Sequence, residues 1–321
     1  MALSATKGWK YRCTLFNQTY ADGGTNGWTG AASLFVSRCT MRGYQDNFRI
    51  PGTRGSRATY YDQMTKGAIV AGGQIAFKFG RAELDTWLPL ILGASQASDV
   101  FRTAEELPQF CLLVDKGQGQ FFLYSNCKVA RATFGGQAGG VVTMTLDVTA
   151  EQELVWSTVP QSDGQFVTVS YTPSSSTKPL RFGEGDFRIR PASSPYIVPF
   201  SSFGLTIDNG LEPMFYAGSD YATAIDEGFR SVRLQVPAAH SSVTAPLYSL
   251  GADGLAARLK FTNGNMSTQF DFGSLVWPQQ SPGMESETDG VPLMLDAFSC
   301  RTESGSAGVD DDIVVTNDPT A

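Results

Sequence analysis

At 321 residues the chain exceeds the roughly 100–200 of a typical domain, so two domains are expected, with one large β-rich domain as the alternative. Hydrophobic residues make up 42% of the chain and charged residues only 17%, and a surface low in charge but rich in Gly, Ser and Thr suits a protein that packs against copies of itself. A net charge of −7 excludes a protein that grips nucleic acid by neutralising phosphates, though not a surface along which nucleic acid slides.

The chain begins MALSATKGWKYR, without an apolar signal core. No later run approaches the ~18 apolar residues of a membrane helix. The first cluster of interest is Arg38, Arg42, Arg49, Arg54 and Arg57, with Tyr44, Phe48, Tyr60 and Tyr61 among them. Arg with aromatics serves either a nucleic-acid platform or a protein interface, and the acidic balance favours the interface.

Next, 74–79 alternates with Ile75, Phe77 and Phe79 on one face, the pattern of a half-buried strand. Leu84, Trp87, Leu88, Ile91 and Leu92 then fall at i, i+3, i+4, i+7 and i+8, one apolar helical stripe that Gly93 stops. Pro89 lies inside it, which predicts a kink or two short turns. Strands are expected at 110–114, 120–124 and 141–148, with a hairpin turn at 115–119 and a flexible Gly-rich loop at 134–140.

From 161 to 179 the chain is polar and Pro/Ser-rich, a linker or arm. Beyond it, strands are expected at 204–207, 231–236, 257–261, 269–272 and 291–298, with a hairpin turn at 262–265. A short helix is expected at 245–250, closed by Gly251. Residues 304–321 read as a solvated acidic tail around Asp310-Asp-Asp312, with a docking segment at Ile313-Val-Val315. The organisation is therefore 1–160, first module; 161–179, arm; 180–303, second module; 304–321, tail.

The two modules share one order of elements. An alternating strand (75–79 or 232–236) leads to a short helix ending at Gly93 or Gly251. A hairpin, a long loop and a last strand follow, the strand carrying Leu146-Asp147 or Leu295-Asp296. The reading is duplication; the alternative is two unrelated β domains. With so little helix, the sheet edges stay open to pairing with another chain.

Chemistry is sparse. His240, the single histidine, reads as a loop residue, although any Ser-His-Asp or Cys-His arrangement would need it. Cys13, Cys39, Cys111, Cys127 and Cys300 lack CxxC spacing and read as reduced, buried thiols of a reducing compartment. Asp310–Asp312 lack the ligand spacing of a calcium loop. Glu105-Glu106 and Asp226-Glu227 read as solvated loop charge and not as a carboxylate dyad. No catalytic, cofactor or metal site is expected.

Three segments carry a resemblance. They are 72–79 followed by 84–93, a strand then a short helix ending in Leu-Gly; 203–211, a strand ending in Asp208-Asn209; and the closing hairpin and strand of each half. Over roughly 40–300 this resembles the two-domain tail tube proteins (major tail proteins) of tailed bacteriophages. The resemblance implies a mainly β fold of two tandem β-sandwich or barrel-like modules, each with one short flanking helix. It implies self-assembly into stacked rings around a channel that delivers the genome, each ring being three chains as a pseudo-hexamer, with a hexamer of whole chains as runner-up. Further implied partners are the tail terminator, tape measure and baseplate or tip proteins, with DNA passing through without specific binding. The implied location is the virion tail, assembled in the host bacterial cytoplasm. Expected subunit contacts are Arg42, Tyr44, Arg49, Arg54, Arg57 and Tyr60, with Gly135, Gly136, Gly139 and Gly140. Lumen-facing strand positions are expected to be rich in Asp, Glu, Ser, Thr and Gln. The alternatives are a β-sandwich adhesin or carbohydrate-binding module, in which Trp28, Trp87 and Trp277 would stack on sugars, and a hydrolase using scattered carboxylates.

Overall fold

The computed structural model describes residues 12–16, 31–34, 36–49, 64–78, 80–94, 99–116, 120–156, 161–162, 165–166, 179–189, 195–239, 247, 254–264, 266–278, 292–301 and 311–318. The chain is mainly β. The first half runs β1 (Arg12–Phe16), β2 (Ala31–Leu34), β3 (Arg38–Cys39), β4 (Arg42–Arg49), β5 (Met64–Lys78), α1 (Arg81–Leu92), β6 (Val100–Arg102), β7 (Phe110–Asp115), β8 (Phe121–Gln137), β9 (Thr143–Ala150) and β10 (Gln152–Trp156). A small hairpin, β11 (Gln161–Ser162) and β12 (Gln165–Phe166), lies in the arm. The rest runs β13 (Gly185–Ile189), β14 (Tyr196–Ile197), β15 (Ser202–Asp208), β16 (Glu212–Met214), β17 (Ala224–Asp226), β18 (Ser231–Ala239), β19 (Leu255–Asn263), β20 (Met266–Val276), β21 (Pro292–Cys300) and β22 (Ile313–Asp318).

Every pairing between these strands is antiparallel, and one order of pairing occurs in both halves. In the first, β2 pairs β1, β1 pairs β7, β7 pairs β8, β8 pairs β9, β9 pairs β5 and β5 pairs β4, while β10 lies along the start of β8. In the second, the matching path is β14, β13, β19, β20, β21, β18 and β15, with β22 along the start of β20. Even a bulge repeats. Phe110 faces Cys127 and Leu112 faces Tyr124, as Leu255 faces Leu275 and Ala257 faces Phe272. Two pairings cross between halves, β8 with β15 and β6 with β22.

This register corrects one match read from the alternation. Gln74 faces Asp147 and Gln235 faces Asp296, so Ile75 corresponds to Val236 and not to Val232. Period-two patterns look alike at every even offset, and only the partner strand sets the register.

Helix α1 forms on the expected stripe, and Leu84, Trp87, Leu88, Ile91 and Leu92 are all fully buried. Its start is fixed by Glu83, whose carboxylate accepts the Gly80 N–H at 3.0 Å. Gly93 ends it at φ +93, where a Cβ would lie 2.5 Å from the Glu106 carbonyl oxygen. The expected kink is absent: 81–92 is one helix through Pro89. Proline there removes a single donor near the last turn, and the Pro89 carbonyl still accepts the Gly93 N–H at 2.9 Å. Of the counterpart helix at 245–250, only Leu247 is described, helical and fully buried; the remainder lies outside the described residues.

One hydrophobic core runs through both halves. Trp87 packs against Phe77 (5.4 Å) and edge-on to Phe110 (5.7 Å), and Phe134 of β8 meets Phe270 of β20 at 5.4 Å. Two further expectations are corrected. Residues 134–137 are not loop but the end of β8, with Phe134 and Gly135 paired on both sides and Gly136 and Gln137 paired with β15. Gly136 belongs in a strand because the Phe203 and Phe182 rings come within 3.0 and 3.1 Å of where its Cβ would be. The acidic tail is, from Asp311 onward, part of the fold. Ile313 and Val315 are fully buried in β22, and Asp311 and Asp312 pair with Arg102 (3.1 Å) and Arg230 (2.9 Å). The apolar Ile-Val-Val triplet decides this, since its burial outweighs the solvation of two carboxylates that find cations.

Candidate assembly surface

Strands β4, β5, β9, β8, β15, β18 and β21 lie side by side in one antiparallel sheet that spans both halves. Alternation splits its residues between two faces. One face is the core, with Ile75, Leu146, Phe134, Leu205, Leu234 and Leu295 all buried. The other is solvent-facing and polar at its centre, carrying Gln74, Thr145, Asp147, Thr133, Thr206, Asp208, Gln235 and Asp296, with Val70, Met294 and Phe298 exposed toward its margins. Its cations Lys78, Arg131 and Arg233 stand against the anions Asp147, Asp208 and Asp296. Arg131 grips the Asp208 carboxylate with Nε (2.9 Å) and Nη2 (2.6 Å) across the β8–β15 seam. Arg233 grips Asp296 in the same two-pronged way. The hydrogen bonds from Arg233 hold the Asp296 carboxyl below its ordinary range, and Asp208 raises the Arg131 guanidinium above its own.

Two buried polar groups close the seam. Asn209 is 3% exposed, and its Nδ2 donates to the Ile91 (3.1 Å) and Val129 (2.9 Å) carbonyls, joining helix, β8 and β15. Lys128 is buried with its Nζ 2.6 Å from Glu227 and 2.8 Å from the Ile225 carbonyl. Burial would raise the Glu227 carboxyl, but hydrogen bonds from Lys128 and the Leu107 N–H outweigh it and leave the group below its ordinary range. Glu227 is thus a structural anion bound to lysine and not half of an acidic dyad with Asp226. Glu105 is exposed, 3.6 Å from Arg301.

The expected contact residues divide. Arg42 and Tyr44 lie on β4 and share a surface, with the guanidinium 5.8 Å over the exposed phenol ring and the Tyr44 O–H donating to Asp46. Arg49 ends β4, and nothing is described of its side chain; Arg54, Arg57 and Tyr60 lie outside the described residues, as does His240. Gly135, Gly136 and Gly140 line an open depression of about 430 Å³ with Gln137, Val141, Thr143 and Ser202, and Gly139 turns beside it at φ +78. The register sets the two groups at opposite ends of the sheet, because Lys78 and not Met64 is level with Thr143. No local pattern in the chain signals the Arg131–Asp208, Asn209 and Lys128–Glu227 contacts, apart from the Asp-Asn pair at 208–209.

Trp87 and Trp277 are buried, so neither offers a stacking face; Trp28 lies outside the described residues. No disulfide joins the five cysteines; Cys13, Cys111 and Cys127 are buried, Cys39 is half-buried and Cys300 exposed. Among the described residues no group of three or more His, Cys, Asp or Glu could hold a metal ion, and no helix is long and apolar enough to cross a membrane.

An antiparallel protein with a largely polar sheet face, a continuous core and, among the described residues, a β4 strand paired on one side only has the build of a structural assembly unit. The chain belongs to the phage tail tube protein family, whose sequence model matches residues 52–318. It is a structural protein of a phage tail. No curated protein matches it.

Proposed function

We propose that the chain self-assembles into rings that stack as the tail tube, with the polar face of the shared sheet lining the channel through which the genome leaves. The observation that carries this is the β8–β15 pairing, seven residue pairs from Ser202–Gln137 to Asp208–Arg131. It joins two halves of the same pairing order edge to edge. The repeated order supports two tandem modules, 1–160 and 180–303. In the second half the edge of β15 is filled by β8, whereas among the described residues β4, its first-half counterpart, pairs only with β5. Repeating the same step between molecules fills the edge of β4 with a strand of a neighbouring copy. Three chains then supply six modules and close the ring, six whole chains being the runner-up.

The polar face suits a conduit, since its arginines are neutralised by aspartates and leave no cationic track for phosphate. Stacking would use the β4–β5 end of one ring and the Gly135–Gly140 end of the next, a head-to-tail contact that repeats without closing. Tail terminator, tape measure and tip proteins would meet the tube at its ends and lumen, and assembly would take place in the host cytoplasm before the virion leaves. Cryo-electron microscopy of the purified chain tests the reading. Rings or tubes with three-fold symmetry and six similar units are expected. Monomers at every protein concentration, or a channel lined by unpaired Lys and Arg, would overturn it.

A further inference from the structure

The two halves differ at one place where their architecture coincides. The shared bulge and the Leu146-Asp147 and Leu295-Asp296 pairs bring Gly43 to Ile207, Tyr124 to Phe272 and Glu153 to Ile313. In the second half all three are apolar and no more than 1% exposed. In the first half the same trio is Gly, Tyr and Glu. The polar version sits under the open edge.

Hydrogen-bond direction gives the exchange a meaning. On β15, the Asn209 N–H reaches the Ala130 carbonyl of β8 at 2.8 Å, so the N–H of Ile207, two residues back, also points into that ladder. Just before β4, the Thr40 N–H bonds Gln74 of β5, so by alternation the N–H of Gly43 points away from β5, toward the side that no described strand fills. It is not left bare. The Glu153 carboxylate accepts it at 2.8 Å. Glu153 reaches it by occupying the space a side chain would need: a Cβ on residue 43 would lie 2.8 Å from Glu153 Oε1. Tyr124, whose O–H also donates to Glu153 and whose oxygen accepts from Lys116 Nζ at 3.2 Å, keeps the carboxylate partnered if it lets go.

We propose that Glu153 guards the open edge of β4, holding the Gly43 N–H in the lone protomer until a strand of a second copy of this chain takes it. This rests on the ring reading above. Exposed edges pair indiscriminately unless blunted, and a carboxylate under the edge blunts it reversibly. A charged acceptor must be displaced before the ladder forms, so premature pairing is slowed while correct pairing, which adds many bonds at once, still proceeds.

The test compares the wild-type chain with Glu153→Gln and with Glu153→Ile combined with Tyr124→Phe, which restores two of the three apolar residues of the second half and leaves Gly43 in place. The readouts are the protein concentration at which half the chain sediments as rings or tubes, and amide exchange at Gly43 in the monomer. The double variant should assemble at roughly a tenfold lower concentration, the worth of one hydrogen bond to a charged group. Glu153→Gln should shift less in the same direction, and the Gly43 amide should exchange faster in both monomers. Should the double variant not fold, the Gln variant decides. Unchanged or higher assembly concentrations overturn the guard and leave the ring reading standing. A wild-type chain that never associates overturns the ring reading, and the guard with it.

Discussion

Asn209 is the residue on which most of the seam converges. Its side chain holds two carbonyls from different elements in a water-poor place, and no neighbour can replace it. Asn209→Ala should destabilise the fold by about 1–3 kcal/mol, the penalty of stranding buried acceptors, read as a lower denaturant midpoint at unchanged slope. Cys39 makes a second residue-scale prediction. The Cys13 thiol donates to its sulfur and lowers its pKa to about 7, aided by the Met41 N–H and Lys116 against the cost of burial. The thiolate is the reactive form, so alkylation of Cys39 should reach half its maximal rate near pH 7. Cys13→Ala should move that midpoint up toward the ordinary value of 9.0. Neither contact could be read from the chain: Cys13 and Cys39 lie on different strands, and nothing in their spacing brings them together.

At the scale of elements, period and punctuation were legible. The stripe from Leu84 to Leu92 and the stop at Gly93 found the helix, because both are local properties of the backbone. The β19–β20 hairpin was legible for the same reason, with Gly264 at φ +63 in its turn. Elements defined by long-range partners were misread. Residues 134–137 look like a loop because glycines usually mark one, yet two neighbouring strands and two phenylalanine rings hold them extended. The C-terminal strand reads from the chain only as a docking segment at Ile313-Val-Val315, because the three aspartates before it suggest a solvated tail. Deleting residues 313–321 would strip β20 of its partner along Ser267–Phe272 and free β6 from its partner. We expect an insoluble or molten product, with loss of the cooperative thermal transition. A soluble chain with wild-type melting would show that the segment is a dispensable tail.

For the whole molecule, the decisive property is which edges are filled. β15 is filled from within the chain, whereas among the described residues β4 pairs only with β5, and the proposed ring fills its other side. Gln45 shares the outward N–H direction of Gly43, and proline is tolerated at strand positions whose donor is not used by the sheet. Gln45→Pro should therefore leave the protomer folded, with a thermal midpoint within a few degrees of wild type, and abolish rings in the electron microscope. Rings formed as readily by the variant would exclude β4 as the joining edge. Charge acts at this scale too: the −7 of the chain limits nucleic-acid affinity, while the paired arginines keep the polar face near neutral.

The amino-acid sequence by itself determined the mainly β class, the position of the helix and the resemblance that the family match upheld. These rest on alternation, glycine and proline, which act over a few residues. Tertiary structure alone decided the register between halves, the membership of 313–318 in the sheet, and the exchange of an apolar trio for Gly43, Tyr124 and Glu153 beneath the open edge. Those depend on residues that meet across about a hundred positions of chain, where no local pattern records which strand lies beside which.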